Sequence, residues 1–326
     1  MSIKSFGSIV ALCVVFSVTP IVSSSQEKRD LSELASTLDV TDVEGKTPGG
    51  IYFCKSSTSH SDDLLVLVMG YGGSGRIWPR DFVDKLAQKF TVITYDNRGT
   101  GYSIVPQDPG EYTIKKMSDD LEEVVDQLAI RQLHLLGYSM GSCIALQYAH
   151  DHAAKVKTLF LLSGTAGGAL YVKPSAEMSA ALAHPQGDTL WELYMSSFKL
   201  MYSPETLKRV KPQLRKIFEA SKDTPATPAG LAGHSNAFGQ FDGIAFLTGL
   251  KMPTTVLAGQ DDRLMPVQNS ENLAKAIPDA RLALVPECQH GAHVQCENLV
   301  IREIENSCRT DNSAVIGKSR YITRCE

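Results

Sequence analysis

A serine, a pair of acids and a pair of histidines stand in this chain in an order that nucleophilic catalysis can use. The serine is Ser139, at the centre of the G-x-S-x-G pentapeptide Gly137–Gly141. A serine hydroxyl attacks a carbonyl when a base removes its proton, an acid orients that base, and N–H groups hold the developing oxyanion. The acids and bases that follow the serine in sequence are Asp261, Asp262, His290 and His293.

The residues around the pentapeptide predict how it is held. The apolar run Leu133–Leu136 precedes it and the helix-like run Ser142–Ala149 follows it, so strand, sharp turn and helix succeed one another. This is the context of a nucleophile elbow. The turn strains the serine backbone and needs small neighbours, which glycine supplies at both ends. We therefore expect the Ser139 hydroxyl to point away from the sheet into a crevice.

Strand-like and helix-like segments alternate through most of the chain. Continuous apolar runs such as Leu64–Met69 are typical of strands buried on both faces of a parallel sheet. The predicted fold class is therefore α/β, with a doubly wound, mostly parallel sheet. After a polar lead-in at 26–47, strands are predicted at 51–54 (an edge strand), 64–69, 90–95, 133–136, 156–162, 255–259 and 280–285, the last of the sheet. Helices are predicted from Pro79 onwards, at 119–128 with Ser118 as N-cap, at 269–276 and at 299–304.

Residues 164–250 break this alternation and read as a helical insertion. Helix-like segments are predicted at 174–183, 189–202, 204–221 and 236–249, with Pro225 and Pro228 interrupting them. One face of the second segment is aromatic and apolar, so it could pack on the domain, line an apolar substrate pocket, or do both. The predicted organisation is a signal peptide at 1–25, a core at 26–163 and 251–305, a helical cap at 164–250 and a tail at 306–326.

The first residues have the pattern of a signal peptide. Lys4 precedes the apolar run Phe6–Val18, and small residues make a cleavage site plausible after Ser24 or Ser25. The alternative is an uncleaved anchor, which Pro20 and the serines disfavour. We expect an exported protein, secreted or extracytoplasmic, without stable membrane insertion after cleavage.

Cysteines remain in the chain after this segment, and an exported protein can form disulfides. Their pairing cannot be read from spacing. Cys308 and Cys325 flank the polar tail and could close it. Cys143, in the helix after the serine, is expected to be a buried free thiol.

Composition excludes several classes of function. The 326 residues carry a formal net charge of −4, and no long basic run suggests a nucleic-acid partner. HExxH, CxxC and P-loop motifs are absent from the sequence. We therefore expect no cofactor and no metal. The expected partner, a small-molecule ester or amide substrate, follows from the serine chemistry described above.

Four motifs together resemble the α/β-hydrolase fold superfamily, in its lipase/esterase-like branch with a helical cap. They are the elbow at 137–141, the strand and loop at 65–78, the D-x-R-G-x-G-x-S loop at 96–103 and the G-x-x-D loop with a following proline at 259–266. The resemblance extends over about residues 50–305.

The resemblance implies a role for each candidate residue. Ser139 would be the nucleophile, and the backbone N–H groups of Tyr71 and Met140 would form the oxyanion hole. Asp262 matches the family acid and His290 the family base. Asp261 and His293 remain the alternatives to them.

Some residues depart from the family pattern without removing a catalytic group. Met69 replaces the usual histidine before Gly70, and Gln289 replaces a glycine before the base. Ser142 replaces a glycine after the elbow and is expected to add a hydroxyl near the pocket floor. Arg98 is expected to form a structural ion pair rather than to bind substrate.

The rival hypotheses come from different classes. Gly70, Gly72 and Gly75 with Asp96 also match a dinucleotide-binding fingerprint, although the helix then begins too late. A non-catalytic binding protein of the same fold would not need the complete Ser-Asp-His set. A serine nucleophile excludes the branches that use aspartate. The favoured function is carboxylic-ester hydrolysis, with an exported peptidase or an acyltransferase as alternatives.

Overall fold

The computed structural model describes residues 41–57, 62–308 and 320–321. Within these ranges one sheet of nine strands runs through the protein, in the order β1-β2-β4-β3-β5-β6-β7-β8-β9. The first two strands pair antiparallel to their neighbours and all later pairs are parallel. The strands are β1 (Thr41–Lys46), β2 (Tyr52–Ser57), β3 (Leu64–Val68), β4 (Thr91–Tyr95), β5 (Leu133–Tyr138), β6 (Val156–Leu162), β7 (Thr254–Gly259), β8 (Arg281–Val285) and β9 (Arg320–Tyr321).

Helices cover both faces of this sheet, as a doubly wound fold requires. They are α1 (Arg80–Ala87), α2 (Ile114–Gln127), α3 (Met140–Asp151), α4 (Ala176–Ala183), α5 (Leu190–Met201), α6 (Pro204–Ser221), α7 (Pro228–Gln240), α8 (Ile244–Leu247), α9 (Gln268–Ala276), α10 (Ala292–Gln295) and α11 (Glu297–Cys308). One core cluster packs α2 and α3 against one set of strand side chains. A second packs α1 and α11 against the strand side chains that alternate with them. Since β-strand side chains alternate between faces, these are the two cores of one sheet. The predicted α/β class is confirmed.

Several element boundaries differ from those predicted. The polar lead-in ends in the strand β1, so the strand predicted at 51–54 is β2 and not the edge. The strand β9 pairs with β8, so 280–285 does not end the sheet. Helix α2 begins earlier than predicted because the Thr113 hydroxyl accepts the Lys116 N–H, and the predicted cap Ser118 is buried inside the helix. Pro228 opens helix α7 instead of interrupting a helix.

The helices α4 to α8 lie between β6 and β7 in the chain, within the range 164–250 where a helical insertion is predicted. A small core of their own links α5 and α6 to the rest of the protein, and Val294 of α10 belongs to it. The ring of Tyr194 in α5 lies tilted against two others, 4.5 Å from the Phe198 ring and 5.3 Å from the Phe218 ring of α6 between centroids. The insertion is therefore packed both internally and against the loop that follows β8.

Cys143 and Cys308 are free thiols, and Cys143 is buried as expected. The predicted closure of the tail by Cys308 and Cys325 is therefore wrong; the Cys308 Sγ lies 3.3 Å from His134 Nδ1 instead. Cys296 is disulfide-bonded. Residues 1–25, which are predicted to form a signal peptide, lie outside the described residues. Within the described ranges we find no helix with the length and apolarity to span a bilayer, and no group of three metal-ligating side chains.

Candidate active site

The turn between β5 and α3 holds Ser139 in a strained conformation. Its φ of 54° and ψ of −123° lie where L-residues seldom occur. A Cβ on Gly137 would meet the backbone of Gly141, and a Cβ on Gly141 would meet Val68 O. The two glycines therefore allow the turn to close against β3. Ser139 is only partly buried, and its N–H donates to Leu162 O at 2.9 Å. The structure thus has the predicted elbow geometry.

Three predicted residues meet at the carboxyl end of the sheet. His290 Nε2 lies 3.2 Å from Ser139 Oγ, and His290 Nδ1 lies 2.8 Å from Asp262 Oδ2. Asp262 and His290 are buried, with exposed fractions of 5% and 3%. The acid and the imidazole are thereby shielded while the serine remains accessible. This hydrogen-bonded chain has the arrangement in which an acid orients a base toward a hydroxyl.

The loop after β7 fixes the acid. Asp262 Oδ1 accepts the N–H groups of Leu264 and Met265 at 3.0 and 2.8 Å. Its other oxygen is left for His290. Asp261 is exposed and contributes its backbone N–H to Cys288 O at 2.9 Å. The structure therefore brings Asp262, and not its neighbour, to the histidine.

The loop after β8 fixes the base. The Ser163 hydroxyl donates to His290 O at 3.3 Å, and the Tyr138 ring lies 5.1 Å from the imidazole ring. His293 points elsewhere, into an aromatic cluster with Trp78 and Tyr138. Burial and the nearby His290 lower the pKa of His293 to about 3. The alternative base is thus a neutral core residue without a contact to Ser139.

The loop after β3, which carries the predicted oxyanion donor Tyr71, passes beside Ser139 and the second predicted donor, Met140. A Cβ on Gly70 would stand 3.0 Å from Ser139 Cβ and 3.5 Å from Met140 N. Gly73 N–H donates to Gly70 O at 3.1 Å, which closes a turn around Tyr71. Met140 is the first residue of α3, so its N–H has no acceptor within that helix. Both candidate donors thus belong to backbone that adjoins the nucleophile.

The Ser142 hydroxyl connects the elbow to a neighbouring loop. Its hydroxyl donates to Ser139 O at 2.6 Å and accepts the Thr165 N–H at 3.3 Å. The residue is fully buried. Its hydroxyl therefore fastens the elbow to the loop after β6.

Arg98 and Asp96 hold the neighbouring loop. The Arg98 guanidinium donates to both Asp120 oxygens at 2.7 Å, so the expected structural ion pair is confirmed. Asp96 accepts the N–H groups of Gly75 and Tyr102, each at 2.8 Å. This carboxylate is 1% exposed and fully engaged within the protein. It is therefore not available to a ribose, as the dinucleotide hypothesis would require.

Residues of the helical insertion contact the loop after β8, which carries His290, and the loop after β3, which carries Tyr71. These contacts are not predicted from the sequence. Tyr202 donates its hydroxyl to Gly291 O at 3.2 Å, and Ser203 N–H donates to Gln289 Oε1 at 2.9 Å. His234 accepts the Gly72 N–H at 3.0 Å. No signal in the sequence pairs residues this far apart. Gln289 departs from the family pattern, and its side chain accepts a hydrogen bond from Ser203 that a glycine at this position could not accept.

Comparison with known proteins fits this geometry. Residues 63–295 match the family model described as alpha/beta hydrolase fold. Since the match covers more than half of the chain, the chain belongs to the α/β-hydrolase fold family. The dinucleotide-binding hypothesis is thereby wrong.

Among curated relatives, the putative carbamate hydrolase RutD of Caulobacter vibrioides is 29% identical over 232 residues, which cover 70% of this chain and 84% of that protein. RutD of Pseudomonas savastanoi pv. phaseolicola is 29% identical over 238 residues, covering 72% and 90%.

Solved structures show the same fold. A hydrolase from Pseudomonas aeruginosa PA01 superimposes with a TM-score of 0.67 at 25% identity, over 82% of this chain and 97% of that chain. An enol-lactonase from Burkholderia xenovorans LB400 gives 0.69 at 21% identity, over 81% and 99%.

Proposed function

We propose that this protein is a serine hydrolase that cleaves a carboxylic ester through an acyl-enzyme on Ser139. The observation that carries the proposal is the hydrogen-bonded chain from Ser139 Oγ through His290 to Asp262. Family membership supports hydrolase chemistry. The three side chains belong to three different loops, and their convergence has no evident structural purpose beyond that chemistry.

The proposed reaction has two halves. In the first, Ser139 Oγ attacks the ester carbonyl carbon while His290 Nε2 takes the hydroxyl proton. The carbonyl oxygen becomes an oxyanion held by the N–H groups of Tyr71 and Met140. The tetrahedral intermediate then collapses, the C–O bond to the alcohol breaks, and His290 returns the proton to the leaving oxygen. In the second half, water attacks the acyl-enzyme with His290 as base, and the acid is released.

Asp262 supports both halves by fixing the imidazole. Its Oδ2 accepts a hydrogen bond from Nδ1–H, which holds the proton on Nδ1 and leaves Nε2 unprotonated and able to accept the serine proton. The negative charge also stabilises the imidazolium that forms in each half. Because Asp262 Oδ1 is held by two backbone N–H groups, the orientation is fixed before substrate arrives.

A carbamate is the second bond type to examine, because curated relatives at 29% identity are named putative carbamate hydrolases. Attack at a carbamate carbonyl would use the same serine, base and oxyanion donors. A peptidase or an acyltransferase would share the acyl-enzyme and differ in the leaving group or acceptor. Substrates therefore separate these possibilities.

The test is a panel of p-nitrophenyl esters, an aryl carbamate and a peptidyl amide, assayed with wild type, Ser139→Ala and Ser118→Ala. Ser118 is a matched control because it is a buried serine of helix α2 that lies outside the elbow. We expect ester turnover that Ser139→Ala abolishes and Ser118→Ala largely retains. If only the carbamate or only the amide is turned over, that bond is the one the enzyme cleaves, and the ester proposal is wrong. No turnover of any panel member would contradict the hydrolase proposal.

We further propose that the protein is exported, on the pattern of Lys4, the apolar run Phe6–Val18 and the serines before residue 26. Amino-terminal sequencing of protein expressed from the full chain should begin at Ser25 or Gln26. Intact Met1 in a cytosolic fraction would contradict export.

A further inference from the structure

We propose that His234, a residue of the helical insertion, positions the loop 70–75 after β3, called the oxyanion loop below, by accepting the Gly72 N–H. This inference rests on the proposed function, because it concerns the donors that would hold the oxyanion. It assigns a catalytic purpose to a contact between the insertion and the core. His234 touches no reacting atom, so it is a positioning residue.

The two hydrogen bonds of the His234 ring define its protonation state. Nδ1 accepts the Gly72 N–H at 3.0 Å, and Nε2 lies 2.8 Å from Arg98 O. An N–H group can only donate and a carbonyl oxygen can only accept. Both bonds therefore exist together only in the neutral ring that carries its proton on Nε2.

The surroundings of His234 keep the ring neutral and still. The side chain is fully buried, and burial lowers its pKa to about 4. The Tyr71 ring approaches it edge to face at 6.0 Å between centroids, and the Tyr112 ring lies at 6.1 Å. Because protonated His234 could no longer accept from Gly72, a neutral ring is a condition for the bond.

The direction of the Gly72 N–H reports the conformation of the oxyanion loop. Gly72 has a φ of +64° and follows Tyr71 in the turn that Gly73 closes onto Gly70. The central peptide of such a turn can rotate, and its N–H direction changes between turn types. By accepting this N–H, His234 selects one arrangement. The Tyr71 N–H, the proposed oxyanion donor, belongs to the same turn.

Helix α7 is fixed against the core, so it can serve as a rigid support. Thr227 N–H donates to Gly99 O at 3.1 Å, directly before the helix begins. A Cβ on Gly230 would meet Gly99 O, and a Cβ on Gly233 would meet the Tyr112 ring. The helix backbone therefore approaches the core as closely as glycine permits. His234 follows these contacts directly in the helix.

The test compares His234→Asn with His234→Gln. Asn carries an amide oxygen at the same bond distance from the backbone as Nδ1, and Gln carries its amide where Nε2 was. We expect His234→Asn to retain most of kcat. We expect His234→Gln and His234→Phe to lose roughly tenfold in kcat with KM nearly unchanged, less than the loss of a complete oxyanion donor. Affinity for an aryl boronic acid, which mimics the tetrahedral intermediate, should fall with kcat.

Asn236→Ala is the matched control. Asn236 lies on the same helix and donates to Pro109 O and Tyr112 O at 3.3 and 3.4 Å, without touching the oxyanion loop. We expect wild-type kcat from this variant. Equal losses in Asn236→Ala and His234→Gln would overturn the inference, as would full activity in His234→Phe.

Amide hydrogen exchange provides a readout that does not depend on turnover. Exchange in the segment 70–75 should accelerate in His234→Gln and His234→Phe but not in Asn236→Ala. Unchanged exchange in the His234 variants would overturn the inference even with an active enzyme. An inactive wild type with accelerated exchange in these variants would instead show that the proposed function fails while His234 still holds the loop.

Discussion

Replacing Asp262 by Asn should reverse the tautomer of His290. Asp262 Oδ1 accepts two backbone N–H groups, from Leu264 and Met265, and Oδ2 accepts from His290 Nδ1. An asparagine must keep its carbonyl oxygen toward the two N–H groups, because an amide NH₂ there would face two donors. The NH₂ then faces His290 Nδ1 and makes that nitrogen an acceptor. The imidazole proton moves to Nε2, where it blocks acceptance of the Ser139 proton.

The expected loss follows from this geometry. Replacing the acid of a serine-protease triad by asparagine, which produces this wrong tautomer, lowers kcat by about 10⁴-fold. We expect a loss of that order in Asp262→Asn. KM should change little, since the ground-state pocket is unaltered. The melting temperature should also stay close to that of wild type, because the two backbone hydrogen bonds to the side chain are retained.

The assay is steady-state hydrolysis of the best p-nitrophenyl ester from the panel, with unfolding followed in parallel. Asp261→Asn is the matched control, because that side chain is exposed and has the same chemistry one residue away. Its kcat should stay close to that of wild type, because the carboxylate that contacts His290 is that of Asp262. An Asp262→Asn enzyme with more than a tenth of wild-type kcat would refute the reasoning, as would a large loss in Asp261→Asn.

Two further predictions concern stability. Arg98→Ala should cost about 3–5 kcal/mol in urea unfolding, since it leaves the buried Asp120 carboxylate unpaired; a raised KM with normal stability would instead indicate substrate binding. A histidine in the unfolded chain has a pKa near 6.5, whereas burial lowers the pKa of His293 to about 3, so His293 takes up a proton in the unfolded chain at a higher pH than in the folded protein. The stabilisation that neutral His293 gives to the folded state is complete above pH 6.5. Below pH 6.5 the free energy of unfolding falls by up to about 1.4 kcal/mol per pH unit. His293→Phe should flatten that decline in unfolding free energy, and an unchanged slope would disprove the buried neutral state.

The sequence predicted the parts of the site that lie in local motifs. Ser139, Asp262 and His290 each follow a strand, and parallel strands bring their carboxyl ends to one edge, so their meeting was predictable. The strand β1 was missed because its sequence, Thr41–Lys46, is polar and belongs to an edge. The early start of α2 was missed because a threonine cap carries little signal beside an apolar run.

The supports for the site could not be predicted in the same way. His234 and Gly72 are separated by 162 positions, and Tyr202 and Gly291 by 89. Neither pair has a spacing that any motif encodes, since the insertion can dock on the core in many ways. Only the packed fold decides which insertion residues meet the catalytic loops. The hydrogen bond from the Thr165 N–H to Ser142 Oγ could not be predicted for a related reason, because Thr165 lies on another loop.

The central claim is that Ser139 is a nucleophile activated by His290. Its most direct test is reaction with a fluorophosphonate probe, followed by peptide mass mapping of the adduct. We expect one adduct, on the peptide that contains Ser139, absent in Ser139→Ala and formed much more slowly in His290→Ala. An unlabelled wild type, or an adduct mapped to another residue, would contradict the account.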